Sequence, residues 1–155
     1  MMNANGDKSG LKYMGDGYYQ DFIMVILKGV EIAMERILTI FTTIDFSCNK
    51  FEGHIPKSIG KLCLLHELNF SHNDLTGHIP SSLENLIKLE ALELSWNNIS
   101  GKIPEQLASL TFLEVLNFSQ NHFVGPIPRG KQFDTFQNDM YNGNMGLCGP
   151  PLSKK

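Results

Sequence analysis

The sequence is poor in the features that suit a chain to nucleic acid, to a membrane span or to catalysis. Among its 155 residues, 13 Lys and Arg face 16 Asp and Glu, and no basic run exceeds the terminal Lys154-Lys155. Nucleic acid and anionic membranes both require clustered cations, so neither is expected as a partner. The longest wholly apolar run, Phe22 to Leu27, falls far short of the ~20 residues a helix needs to cross a bilayer. The opening stretch, Met1 to Gly10, is polar and has no apolar h-region, so it reads as no secretory signal. Cysteine is scarce, three in all and odd in number. There is no Gly-rich phosphate loop or paired carboxylate site. No nucleophile, base and orienting group come together, so an enzyme is not expected, and no cofactor is called for.

What the chain does have is a sentence of 24 residues written four times between Phe41 and Pro128. Its fixed words are Asn49, Asn73, Asn97 and Asn121; Gly53, Gly77, Gly101 and Gly125; and Ile-Pro at 55–56, 79–80, 103–104 and 127–128. With apolar residues in L-x-x-L-x-L-x-x-N order, this is the signature of a leucine-rich-repeat solenoid. In Leu65-His66-Glu67-Leu68-Asn69-Phe70-Ser71-His72-Asn73 the apolar side chains alternate through Leu68 and Phe70, as in a strand buried on one face. Stacked copies form a parallel sheet on the inner curve. The ladder asparagines follow, where a buried amide satisfies backbone groups that an apolar side chain could not.

The expected architecture is an α/β-type solenoid, a right-handed superhelix of four repeats at 41–64, 65–88, 89–112 and 113–128. Residues 1–18 read as a disordered segment. Residues 19–40 read as an appendage without the repeat wording, a strand over Phe22–Leu27 followed by a short helix or irregular turn. Residues 129–155 form a capping segment that abandons the repeat, with Phe133 and Phe136 covering the open end and a loop-like stretch from Asn144 to Leu152. Cys148 lies about three strand spacings, roughly 14 Å, from the cysteines of the first repeat, too far to bridge.

The sheet's outer face reads as columns: Thr43, Glu67, Ala91, Val115; Asp45, Asn69, Glu93, Asn117; the serines Ser47, Ser71, Ser95, Ser119; and Cys48, His72, Trp96, Gln120. Core columns barely change from repeat to repeat, whereas these vary in chemistry, which suits binding of another macromolecule. Trp96, the only tryptophan, is an anchor candidate with His72 beside it. Asp45, Glu67 and Glu93 are candidate polar contacts. His54 and His78 occupy equivalent positions, but no third ligand stands at suitable spacing, so they read as surface histidines and no metal is expected. Asn69, Asn98 and Asn117 begin Asn-x-Ser sequons. Glycans on Asn69 and Asn117 together would block the middle of the concave face and move binding to its flank.

The Leu-Thr-Gly-His-Ile-Pro wording is similar to the extracellular plant subtype of the repeat, shared by receptor kinases, receptor-like proteins and secreted polygalacturonase inhibitors. Tyr19, with Lys28-Gly29 after eight intervening residues, resembles the end of the non-repeat island that precedes the last four repeats of receptor-like proteins. Gly130 through Phe136 and Gly143 through Leu152 look like the C-terminal cap of disease-resistance receptor-like proteins. The resemblance implies a C-terminal piece of the ectodomain of a plasma-membrane receptor without a kinase. Such a receptor recognises a peptide or protein ligand and docks a co-receptor kinase ectodomain through island and last repeats, so Tyr19, Lys28 and Gly29 become docking candidates. It also implies that signal peptide, N-terminal cap, most repeats and transmembrane helix lie outside this chain, and that a capping cysteine partner would come a few residues after Leu152. The alternatives are an inhibitor that uses the same sheet, which would lack an island, and a non-functional fragment whose unprotected first strand associates with other chains.

Overall fold

The computed structural model describes residues 42–152. Segment 1–18, the island-like stretch 19–40 and with it Tyr19, Lys28 and Gly29 lie outside the described residues. Four three-residue strands, β1 (Thr43–Asp45), β3 (Glu67–Asn69), β5 (Ala91–Glu93) and β7 (Val115–Asn117), form one parallel sheet in chain order. Their register advances by one repeat per strand. Ile44, Leu68, Leu92 and Leu116 stand side by side and buried, with Thr43, Glu67, Ala91, Val115 and Asp45, Asn69, Glu93, Asn117 in the flanking columns.

A second row of short parallel strands follows the asparagines. It contains β2 (Glu52–His54) paired with β4 (Asp74–Thr76), and β6 (Ser100–Lys102), β8 (His122–Pro126) and β9 (Gly146–Cys148) in a separate ladder. Each coil then makes one 3₁₀ turn, at Lys57–Lys61, Ser81–Asn85, Glu105–Ser109 and Lys131–Thr135. In the first three, an extended proline, Pro56, Pro80 or Pro104, stands just before the turn, and only five residues separate it from the buried Leu62, Leu86 or Leu110. That length admits a single tight turn and no α-helix.

The ladder asparagines staple each coil to the one before. Asn73 Oδ1 accepts from the Phe51 N–H at 3.0 Å, while its Nδ2 donates to the Phe46 and Phe70 carbonyls, both at 2.9 Å. Asn97 does the same with Leu75, Phe70 and Leu94, and Asn121 with Ile99, Leu94 and Phe118. All three are buried. Asn49, in the first described coil, is half-buried and donates to Phe46 and Ser47 within its own coil.

Two expectations need correction. The tail does not abandon the repeat at Pro128. Asn144 Oδ1 accepts from the Phe123 N–H and its Nδ2 donates to the Phe118 and Tyr141 carbonyls, which is the pattern of Asn73, Asn97 and Asn121 a fourth time. The Phe118 and Gln120 N–H groups donate to the Met140 and Asn142 carbonyls, so the backbone ladder of the concave side reaches a fifth coil. The stretch read as loop-like contains β9, paired with β8. Phe133 and Phe136 also take up the roles of leucines within the fourth coil. The Phe133 N–H donates to the Gly130 carbonyl as that of Leu107 does to Pro104, and Phe136 to Phe133 as Leu110 to Leu107.

The second correction concerns the serines. Ser71, Ser95 and Ser119 are buried rather than displayed. The Ser71 hydroxyl and N–H both donate to Asn69 Oδ1, and those of Ser119 to Asn117 Oδ1. A strand of only three residues ends before the serine, so strand alternation no longer governs which way it points.

Candidate protein-binding surface

Immediately after each serine the backbone turns left-handed at a residue other than glycine: Cys48 (φ 58°), His72 (59°), Trp96 (57°) and Gln120 (59°). Such a conformation costs about 1 kcal/mol or more for a side-chain-bearing residue. It is held here by ladder bonds, the N–H of Cys48, His72, Trp96 and Gln120 donating to the carbonyls of Ser71, Ser95, Ser119 and Asn142. The result lifts four side chains onto the rim of the concave face. Trp96 keeps 53% of its surface open, and its indole stacks on the His72 imidazole at 5.7 Å between centroids and 14° between planes.

The neighbouring column is tethered. The Asp45 carboxylate accepts from the Ser47 N–H and hydroxyl, and Asn69 and Asn117 do likewise with their serines. Glu93 accepts from the Ser95 hydroxyl. Burial pushes the Glu93 carboxyl above the usual carboxylate range, outweighing that hydrogen bond and the nearby His72, with Asp45 adding a smaller push upward. Glu67 is exposed at the start of β3. The structure therefore brings Asp45, Glu67, His72, Glu93 and Trp96 onto one surface.

Of the sequon asparagines, Asn69 and Asn117 are half-buried with their amide carbonyls occupied by serine donors, and Asn98 is exposed with Oδ1 3.3 Å from His122 Nε2. His54 and His78 do not converge on a common ligand. The His54 ring lies against Gly77 and that of His78 against Gly101, and among the described residues no group of three His, Cys, Asp or Glu could hold a metal. Cys48, Cys63 and Cys148 are free.

Leu64, Ile87 and Phe112, exposed by 43, 63 and 60%, stand just ahead of the concave strands and were not singled out from the sequence. Their signal is large apolar residues one or two places before the first core leucine of a strand, where the repeat wording has no core position. Among the described residues no helix is long and apolar enough to cross a membrane.

In-register strands, asparagine staples and an open, chemically varied concave face define a repeat solenoid with a candidate interaction surface. The Leucine Rich Repeat family matches residues 41–62, 64–86, 88–110 and 112–132, more than half of the chain, and the chain belongs to that family. Within it, the similarity is to plant receptor-like proteins. Receptor-like protein 34 of Arabidopsis thaliana is 60% identical over 62 residues, which are 40% of this chain and 6% of that protein. Among solved structures, the BIR3–SERK2 complex from Arabidopsis thaliana matches with a TM-score of 0.71 and 39% identity over 76% of this chain and 63% of that one. The Arabidopsis receptor kinase HAESA, in complex with the peptide hormone IDA and the co-receptor SERK1, matches with a TM-score of 0.59 and 28% identity over 81% of this chain and 24% of that one. The chain thus spans only a small part of the length of the receptor-like proteins it matches.

Proposed function

We propose that the chain is the protein-binding part of a cell-surface receptor-like protein without a kinase, acting on the extracellular face of the plasma membrane in defence or developmental signalling. In this reading it recognises a peptide or protein ligand and docks the ectodomain of a co-receptor kinase. The observation that carries it is the concave face, a sheet locked in register by buried amides that presents Glu67, His72, Glu93 and Trp96 outward. Rigid scaffolds lower the entropy cost of association, and an open tryptophan is a favoured anchor. The partners named for the similar receptor kinase HAESA, a peptide hormone and the co-receptor SERK1, are of this kind.

Asp45, Glu67, His72, Glu93 and Trp96 make the partner contacts, and Tyr19, Lys28 and Gly29 supply a second docking point. Asn98 is the sequon whose glycan leaves the concave face free, whereas glycans on Asn69 or Asn117 would shift contacts to the flank. The test is calorimetric titration of the full chain with a co-receptor kinase ectodomain. Trp96→Ala should weaken binding by about tenfold or more, and Lys28→Ala should weaken it less. Absence of saturable binding, or affinity unchanged in both variants, would remove the proposal.

A further inference from the structure

We infer that the His72–Trp96 platform receives a cationic side chain, lysine or arginine, from an extended peptide laid along the concave sheet. This rests on the binding-module reading above and names the chemistry of its ligand. The carrying feature is the tryptophan itself. One indole is stacked on an imidazole, held at its rim by a left-handed backbone and still 53% open. A cation placed over the remaining indole surface gains from the negative face of the ring, most strongly for tryptophan.

The charge of the surroundings is an independent second observation. The four concave columns carry the carboxylates of Asp45, Glu67 and Glu93, and neither lysine nor arginine occurs in any of them. Lys50, Lys57, Lys61, Lys88 and Lys102 all fall outside the columns, as does Arg129. Just ahead of the strands, Glu90 and Glu114 extend the same sign, with His66 3.9 Å from Glu90. Glu93 is half-buried within this acidic row. A peptide strand is the occupant that fits. The sheet is only a few residues deep, and its columns repeat at the strand spacing of about 4.8 Å, so an extended chain crossing the strands along the His72–Trp96 row runs beside the column that holds Asp45 and Glu93.

Trp96 is the only tryptophan, so intrinsic fluorescence excited in the indole band reports this position alone. The full chain would be titrated with acetyl-(Gly-Arg)₃-amide and with the same peptide carrying citrulline, which keeps the planar shape and length of the side chain but not its charge. The expected result is a saturable change with the arginine peptide, at least about fivefold weaker with citrulline. A comparable loss is expected in the Asp45→Asn/Glu93→Gln double variant, whose fold is checked by circular dichroism. Equal responses to the two peptides, or an arginine response unchanged in the double variant, would overturn the inference. If the arginine peptide fails while the co-receptor ectodomain still binds, the cationic ligand is wrong and the binding module stands. If both fail, the module reading falls with it.

Discussion

The coils at residues 65–112 and the coil that closes the described chain fold to the same hydrogen-bond plan from different words. In the former, leucines fill the core and the asparagines recur every 24 residues. In the latter, Asn144 follows Asn121 by 23 residues, Tyr141 fills the core, and the preceding turn is moved by the insertion of Arg129-Gly130. Yet Asn144 satisfies Phe123 and Phe118 as Asn121 satisfies Ile99 and Leu94. The buried amide defines the coil, because it takes up an N–H of the coil before and carbonyls on both sides of the bend, which an apolar side chain could not. The apolar residues around it need only fill space.

If that is right, the two regions should fail alike when the amide is removed. Asn97→Leu leaves the Leu75 N–H without its acceptor and strips the Phe70 and Leu94 carbonyls of one of their two asparagine donors, and should cost about 3 kcal/mol in denaturant unfolding. Asn144→Leu should cost nearly as much despite its divergent surroundings. A cost below 1 kcal/mol for Asn144→Leu, against about 3 for Asn97→Leu, would make the last coil an ornament rather than a repeat.

The second row gives a smaller contrast. Gly101 and Gly125 share φ of +85°, but a Cβ on Gly101 would stand 2.6 Å from the His78 ring, whereas on Gly125 it would meet the flexible Lys102 stem at 3.3 Å. Gly101→Ala should therefore destabilise by about 2 kcal/mol and Gly125→Ala by about 1. His78→Ala in the Gly101→Ala background should recover the difference, read as a shift in thermal midpoint.

Tyr141 marks where the last coil is less finished than its neighbours. Its hydroxyl is buried without a hydrogen-bond partner, and burial pushes its ionisation well up. Tyr141→Phe should stabilise the chain by about 1 kcal/mol, while Phe118→Tyr in the coil before it should destabilise. Equal effects of the same sign would contradict this placement.

The smallest effect sits on the concave face. Glu93 has a folded-state pKa above its unfolded value, so the folded chain holds that proton more tightly and stability falls as pH rises through this interval. Glu93→Gln should be slightly more stable than the parent at pH 7, and the difference should vanish below about pH 4, near the ordinary carboxylate value. A variant less stable at pH 7 would mean that His72 and Ser95 outweigh burial.

The repeats were legible because a 24-residue period in Asn, Gly and Ile-Pro survives substitution of everything between. The fifth coil was not, since a spacing of 23 and a Tyr-Asn-Gly-Asn setting share too few words with Leu-x-Phe-Ser-x-Asn. The candidate surface was half legible. Alternation placed Glu67 and Glu93 correctly, but it also displayed serines that hydrogen bonds to Asn69 and Asn117 draw inward. It gave no hint of the apolar rim at Leu64, Ile87 and Phe112.

The sequence alone determined the family, the register of the sheet and the inward amides, because these follow from local pattern repeated at a fixed period. Only the tertiary structure decided which side chains remain available. Whether Trp96 lies on His72 and whether Asn144 closes a coil both depend on the rings and backbone groups of the adjacent coil. Those neighbours are 20 or more residues away along the chain, and stacking alone brings them within a hydrogen bond's reach.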